Sequence, residues 1–184
     1  MGPHRILFIR HAEKPGAAFG GGVNADGRPD EESLAVRGWQ RAGALTQRFG
    51  AHDGPLRLAA GLATVYAAGL GKGSQSKRSM QTVAPLVALL QASEPLRYET
   101  GYAKDDGAAL MADVLMQTGV ILIAWEHKVL PSLVARLPDA PVVPSAWPDD
   151  RFDMIWILDR ASHGWSFTQQ PQLLLAGDSA SPIA

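Results

Sequence analysis

Four side chains of this sequence have types suited to binding and transferring a phosphoryl group: Arg10, His11, Arg78 and His127. A guanidinium group presents a fixed fork of donors that matches two phosphate oxygens, and it stays charged at neutral pH. A neutral imidazole can attack phosphorus while nearby cations stabilise the charge that develops on the phosphoryl oxygens. These residue types therefore indicate phosphoryl chemistry, and that chemistry requires no metal ion and no other cofactor.

The segments that carry these residues are predicted to end strands or to begin a helix. The apolar runs Arg5–Arg10 and Val120–Trp125 read as buried strands, and they lead directly into His11 and into Glu126-His127. Arg78 opens a predicted helix that ends near residue 91. Because ligands of open α/β sheets bind beyond the carboxyl ends of the strands, we expect the three segments to meet in one crevice.

The remaining sequence alternates between strand and helix patterns, which favours a mostly parallel sheet covered on both faces. Further strands are predicted at 64–68 and 96–98, helices at 34–49, 107–117 and 130–137, and a terminal hairpin at 153–158 and 165–169. Ser33 is the predicted N-cap of the first helix. The expected fold is a three-layer α/β/α Rossmann-like domain with a mostly parallel central sheet and a C-terminal antiparallel hairpin. It spans residues 1–175, and the small, polar residues 176–184 are expected to form a disordered tail.

Four pieces of the sequence resemble the motifs of the histidine phosphatase superfamily, which is also called phosphoglycerate mutase-like. Arg10-His11-Ala12-Glu13 is similar to its first motif, Arg-His-Gly or a variant, and residues 34–42 are similar to Leu-x-x-x-Gly-x-x-Gln-Ala. Residues 74–82 match its segment Ser-x-x-x-Arg-(Ala/Ser)-x-Gln-Thr, which contains Arg78. His127 follows a late apolar strand, as the second histidine of the family does.

This resemblance implies a phosphomonoesterase in which His11 is transiently phosphorylated. Arg10, Arg78 and His127 would clamp the phosphoryl group during transfer. The implied partner is a phosphorylated substrate, either a small molecule or a phosphoprotein.

The general acid that should protonate the leaving group is the piece without a clear motif. Asp105 falls where the family places its acid by spacing and is the first candidate, while Asp106, Glu99 and Glu126 remain open. Protonation of a poor leaving group contributes about 10²–10⁴ in rate, so this residue decides which substrates react. Lys14 and Glu126 are the predicted substrate-binding residues.

Two other functions stay open beside the phosphatase. One is a phosphoryl transferase of the phosphoglycerate mutase type, and the other is a non-catalytic phosphate-binding or scaffold protein on the same fold. The segment Gly69–Ser74 only partly matches a nucleotide-binding P-loop, because Gly73 separates Lys72 from Ser74.

The composition limits the classes of chemistry, binding partner and compartment that we expect. The chain has 184 residues, no cysteine and a formal net charge of -1. These values exclude disulfides and thiolate chemistry, and they argue against strong attraction to nucleic acid or to an anionic membrane. The apolar stretch near the N-terminus is too short for a signal peptide core or a membrane span, so we expect a cytoplasmic protein.

Overall fold

The computed structural model describes residues 2–50, 59–93 and 95–184, which contain six strands and four helices. In chain order they are β1 (Arg5–Arg10), α1 (Val36–Phe49), β2 (Leu62–Ala67), α2 (Arg78–Gln91), β3 (Arg97–Glu99), α3 (Gly107–Met116), β4 (Val120–Trp125), α4 (Leu130–Val134), β5 (Met154–Arg160) and β6 (Trp165–Pro171). None of the helices in these ranges is long and apolar enough to cross a membrane.

The strands form one sheet in the order β3-β2-β4-β1-β5-β6. The first four strands of that order run parallel to one another, and β5 runs antiparallel to both β1 and β6. The predicted fold class, a mostly parallel sheet with a C-terminal antiparallel hairpin, is therefore confirmed.

Alternate residues of the central strands face opposite sides of the sheet. Ile6 and Phe8 of β1 pack in one apolar cluster with side chains of α3 and α4. Leu7 and Ile9 pack in a second cluster with side chains of α1 and α2. Both faces of β1 are thus buried, which explains why its sequence reads as a continuous apolar run.

The start of α1 differs from the prediction. The helix begins at Val36, and Ala35 occupies the cap position without a side-chain hydrogen bond to the helix. The predicted cap was wrong because Ser33 has other partners: its hydroxyl donates to Asp30 Oδ2 at 2.8 Å and accepts from Gln81 Nε2 at 2.8 Å.

Residues 176–184, expected from composition to be a disordered tail, pack against the domain in this structure. Ile183 is 4% exposed and lies in the apolar cluster beside α3 and α4. Its backbone N–H and C=O both bond the side chain of Gln169 on β6. Asp178 pairs with the buried Arg41 of α1 at 2.7 Å. One buried isoleucine and one buried carboxylate have little influence on the composition of the segment. The packing therefore depends on tertiary contacts that the local sequence does not indicate.

Candidate active site

The strand register places the predicted site segments side by side. Arg10, the last residue of β1, pairs with Trp125, the last residue of β4, and Ala67 at the end of β2 pairs with Ala124. The residues that follow these strands surround a cavity of about 180 Å³. Its lining consists of His11, Lys14, Ala68, Gly69, Ser74, Ser76, Arg78, Ser79, Lys104, Glu126, His127 and Lys128.

His11 is held as a neutral imidazole, and its second ring nitrogen has no hydrogen-bond partner in the part of the chain that the structure describes. Its Nδ1 lies 2.8 Å from the backbone oxygen of Ala12, and because a carbonyl can only accept, Nδ1 carries the proton. Burial and, next, the positive charge of Arg10 lower the pKa of His11 to about 3. At neutral pH the ring is therefore uncharged, and Nε2 presents an unprotonated lone pair.

Arg10 is 1% exposed and divides its donors into two sets. Nη1 donates to the backbone oxygens of Pro148, Asp149 and Arg151 at 3.1, 2.8 and 3.0 Å. Nε and Nη2 are buried and have no hydrogen-bond partner in the described part of the chain. The guanidinium carbon lies 3.8 Å from the ring centre of Phe152, a cation–π contact. Burial lowers the pKa of Arg10 to about 10, which keeps it charged at neutral pH.

His127 faces His11 edge-on, with 6.4 Å between the ring centres. Its Nε2 lies 2.5 Å from Oδ1 of Asp149, while its Nδ1 is buried without a partner among the described residues. Burial, followed by the charge of Arg10, lowers the pKa of His127, and the hydrogen bond from His127 lowers the pKa of Asp149. The pair is best described as a neutral imidazole that donates from Nε2 to a carboxylate.

Arg78 begins α2 and lies at the edge of the cavity. Its Nε donates to the backbone oxygen of Ser33 at 3.3 Å, and its Nη2 donates to the backbone oxygen of Glu31 at 2.5 Å. These bonds hold the guanidinium between α2 and the segment that precedes α1.

The Gln-Thr pair of the α2 motif ties this helix to the two other motifs. Thr82 Oγ1 accepts from the backbone N–H of Ala12 at 2.8 Å and donates to the Arg78 oxygen at 2.7 Å. Gln81 Oε1 accepts from the backbone N–H of Leu34 at 2.9 Å. Both residues are positioning residues, because they fix the strand end that carries His11 against the helix that carries Arg78.

The position of Gly38, in the motif at residues 34–42, has no room for a side chain. A Cβ at Gly38 would lie 2.5 Å from the backbone oxygen of Glu13, which is closer than real contacts allow. Glu13 itself is buried and pairs with Arg41 at 2.8 Å. The close approach therefore lets α1 pack directly on the backbone beyond His11.

Similarity to known proteins is found at the level of structure. No protein-family model matches the sequence, and no curated protein sequence matches it at a significant level. The solved structure of Rv3214 from Mycobacterium tuberculosis matches with a TM-score of 0.50 and 14% identity, covering 90% of this chain and 95% of that one. A candidate alpha-ribazole-5'-P phosphatase from Escherichia coli matches with a TM-score of 0.52 and 12% identity, covering 89% and 94%.

At identities of 14% and 12%, these two matches establish the fold of this chain. This chain has the histidine phosphatase fold. The resemblance predicted from four sequence motifs is thereby confirmed as far as the fold is concerned.

Within the histidine phosphatase fold, the predicted site residues are placed as follows. His11, Arg78, His127, Lys14 and Glu126 all line the cavity. Arg10 lies behind it, next to His11. The sequence also predicted a general acid, and its four candidates differ in whether they line the cavity.

Asp105, the first candidate for the acid, is not among the residues that line the cavity. Its carboxylate is largely exposed and pairs with Lys104 Nζ at 2.8 Å. Glu126 is half-buried, lines the cavity, and its carboxylate has no hydrogen bond or ion pair in the described part of the chain. The other two candidates are committed to local structure. Asp106 accepts from the backbone N–H of Ala103, and Glu99 accepts from that of Gly101.

Sequence reasoning missed the loop that closes the site behind Arg10. Residues 148–151 supply the three carbonyls that hold Arg10 and the carboxylate of Asp149 that meets His127. The preceding stretch is rich in proline, which indicates a loop but not where the loop docks. In the described ranges, no group of three or more histidine and carboxylate side chains is arranged to hold a metal ion.

Proposed function

We propose that this chain is a phosphomonoesterase that passes the phosphoryl group of its substrate through His11. The observation that carries the proposal is a pair of buried donors on Arg10, next to a neutral histidine, that have no hydrogen-bond partner among the residues the structure describes. A buried donor without a partner costs about 1–3 kcal/mol, and more when it is charged. An anion bound beside His11 would remove that cost, and a phosphoryl group matches the fork of donors.

In the first step, Nε2 of His11 attacks the phosphorus atom. The P–N bond forms, the P–O bond to the leaving group breaks, and the departing oxygen takes a proton from an acid or leaves as an anion. In the second step, water attacks the phosphohistidine, the P–N bond breaks, and inorganic phosphate and neutral His11 are released. The hydrogen bond from Nδ1 to Ala12 stabilises the imidazole in the tautomer that this attack needs.

Arg10, Arg78 and His127 are proposed to hold the phosphoryl oxygens during both steps. Arg10 would use Nε and Nη2, since Nη1 is occupied by carbonyls. His127 donates to Asp149 in the free protein, so a phosphoryl oxygen would have to take the place of that carboxylate at Nε2. Preorganised donors of this kind stabilise the charge of the transition state without reorganisation during the reaction.

For the acid, placement favours Glu126 over Asp105. Glu126 lines the cavity and its carboxylate has no partner among the described residues, whereas the exposed carboxylate of Asp105 is paired with Lys104. We therefore propose Glu126 as the group that protonates the leaving oxygen, with Asp105 as the competing candidate.

Trapping of the phosphoenzyme tests the proposal directly. Wild-type protein would be quenched during turnover of radiolabelled p-nitrophenyl phosphate, and label on the protein should be stable to base and labile to acid. The variant His11→Ala should carry no label and should not release p-nitrophenol. His163→Ala is the matched control, because His163 is exposed in the turn between β5 and β6.

Two results would contradict the proposal. Failure of the wild type to hydrolyse both p-nitrophenyl phosphate and an acyl phosphate would exclude phosphatase activity. Full activity in His11→Ala would exclude His11 as the nucleophile.

A further inference from the structure

The cavity beside His11 carries more positive charge than a single phosphoryl group requires. Among its lining residues are four cationic side chains and one carboxylate, Glu126. In the proposed function, Arg78 binds the phosphoryl group together with Arg10. Three lysines are then left over, and we refer to them as the lysine rim: Lys14, Lys104 and Lys128.

The members of the lysine rim differ in how far their charges are compensated. Lys104 Nζ contacts both carboxylate oxygens of Asp105 at 2.8 Å. Lys14 and Lys128 are exposed and make no hydrogen bond or ion pair within the described ranges. The pKa of Asp149 is lowered first by its hydrogen bond with His127 and also by the charges of Lys128 and Lys14, but its carboxylate is already paired with His127. Glu126, the carboxylate of the lining, makes no ion pair with either lysine in the described part of the chain. Two ammonium groups at the mouth of the cavity are therefore left for a ligand.

Apart from the charged side chains and the imidazoles of His11 and His127, the lining has no large apolar side chain. The remaining residues are three serines, one alanine and one glycine. Pockets for drug-sized ligands usually measure about 300–1,000 Å³ and are lined mainly by hydrophobic and aromatic side chains. A cavity of about 180 Å³ with a cationic, hydroxyl-bearing wall fits a smaller and more polar ligand.

We infer that the substrate is a small phosphomonoester with a second anionic group, a carboxylate or another phosphate, bound by Lys14 and Lys128. This inference rests on the proposed function and names its substrate class. The phosphoryl group lies against His11, Arg10 and Arg78, and the second anion lies at the lysine rim. Selectivity arises because an ester without that second charge leaves the two ammonium groups unpaired.

A pair of matched esters tests the inference. Phosphoglycolate and 2-hydroxyethyl phosphate share a two-carbon skeleton, but only the first carries a carboxylate beside its phosphate. Binding is measured by calorimetry on the His11→Ala variant, which lacks the nucleophile and so does not consume the ligands. We expect phosphoglycolate to bind about 10-fold more tightly, as two partly exposed ion pairs would give.

The two free lysines are then removed in the same background. Lys14→Ala combined with Lys128→Ala should bring the two dissociation constants to within about threefold of each other. The constant for 2-hydroxyethyl phosphate should rise by no more than about threefold, because its phosphoryl group keeps Arg10 and Arg78, and this residual binding shows that the phosphoryl site is still folded. Lys72→Ala is the control, because Lys72 is an exposed lysine of the loop before α2 that does not line the cavity.

The outcomes separate this inference from the proposed function. Equal binding of the two esters, or a preference that survives the double substitution, would overturn the inference while p-nitrophenyl phosphate hydrolysis by the wild type still supports a phosphatase. Absence of binding by both esters would overturn the inference and count against the phosphoryl site as well. A preference that Lys72→Ala abolishes would also overturn it, since general surface charge would then explain the selectivity.

Discussion

Thr82 is the residue whose removal most directly tests how the site is held together. Its hydroxyl accepts from the backbone N–H of Ala12 at 2.8 Å and donates to the Arg78 oxygen at 2.7 Å. Both Thr82 and Ala12 are 0% exposed. The substitution Thr82→Val keeps the shape of the side chain and replaces the hydroxyl with a methyl group, so it removes the two hydrogen bonds without opening a cavity.

The expected magnitude follows from the group that is left unpaired. A buried N–H without an acceptor costs about 1–3 kcal/mol, and we expect a loss of about 2 kcal/mol in the free energy of unfolding. For a chain of this size that loss lowers Tm by about 4–8 °C. The activity should fall further than stability alone explains, because the oxygen of Ala12 accepts the bond that orients the His11 ring. A displacement of the nucleophile by about 1 Å can cost on the order of 100-fold in rate.

The assay compares two variants at a temperature where both are folded. Thr82→Val should lower kcat for p-nitrophenyl phosphate by about 10- to 100-fold. Thr82→Ser keeps the hydroxyl and loses only a methyl group, at a cost of about 1 kcal/mol, so its kcat should stay near that of the wild type. Equal kcat values for the valine and serine variants would refute the idea that this hydroxyl positions His11.

Three further predictions concern the proposed acid, the buried imidazole of His11 and the C-terminal segment. Glu126→Gln should slow hydrolysis of alkyl phosphomonoesters by about 10²–10⁴ and leave p-nitrophenyl phosphate nearly unaffected, since p-nitrophenolate leaves without a proton. Asp105→Asn should change neither rate in steady-state kinetics, and the reverse pattern would assign the acid to Asp105. The lowered pKa of His11, about 3 in the folded protein against 6.5 for the unfolded chain, stabilises the fold above pH 6.5, and this contribution is lost as the pH falls toward 3. Urea unfolding at about pH 6.5 and about pH 4.5 should therefore show a decrease in the free energy of unfolding that is about 2 kcal/mol larger for the wild type than for His11→Gln. Equal decreases would mean that His11 is not buried in its neutral form. Asp178→Asn should destabilise the protein by about 3 kcal/mol in urea unfolding, because Arg41 loses a buried partner, and a change below about 1 kcal/mol would show that the tail does not depend on this pair.

Much of the sheet was predictable because its central strands are buried on both faces. Such strands read as short apolar runs, so β1 and β4 were predicted with the bounds that the structure shows. The start of α1 was not, because Ser33 bonds Asp30 and Gln81 instead of the helix. Those partners are brought together by tertiary packing, and local sequence carries no signal for that choice.

The residues that line the cavity were predictable where a residue type combined with a strand end or a helix start, as for His11, Arg78 and His127. Asp149 was not predictable, because it reaches His127 from an irregular loop 22 residues away. Asp105 shows that sequence spacing also does not reveal which neighbour a side chain pairs with. Sequence spacing placed it near the acid position, but the neighbouring Lys104 pairs with it at the rim.

The two sets of donors on Arg10 explain why this position calls for arginine. Nη1 ties the end of β1 to the loop at residues 148–151, while Nε and Nη2 have no hydrogen-bond partner in the described part of the chain and are proposed to bind the phosphoryl group. A lysine would have one nitrogen to serve both the loop and the ligand, so it would either release the carbonyls or leave the phosphoryl oxygens without a bidentate partner. The loop also carries Asp149 to His127, and its position therefore affects two residues of the proposed phosphoryl site at once. In the proposed function, a bound phosphoryl group would pair with Nε and Nη2 of Arg10 and would displace Asp149 from His127 in the same event, which would couple the position of the loop to the occupancy of the site.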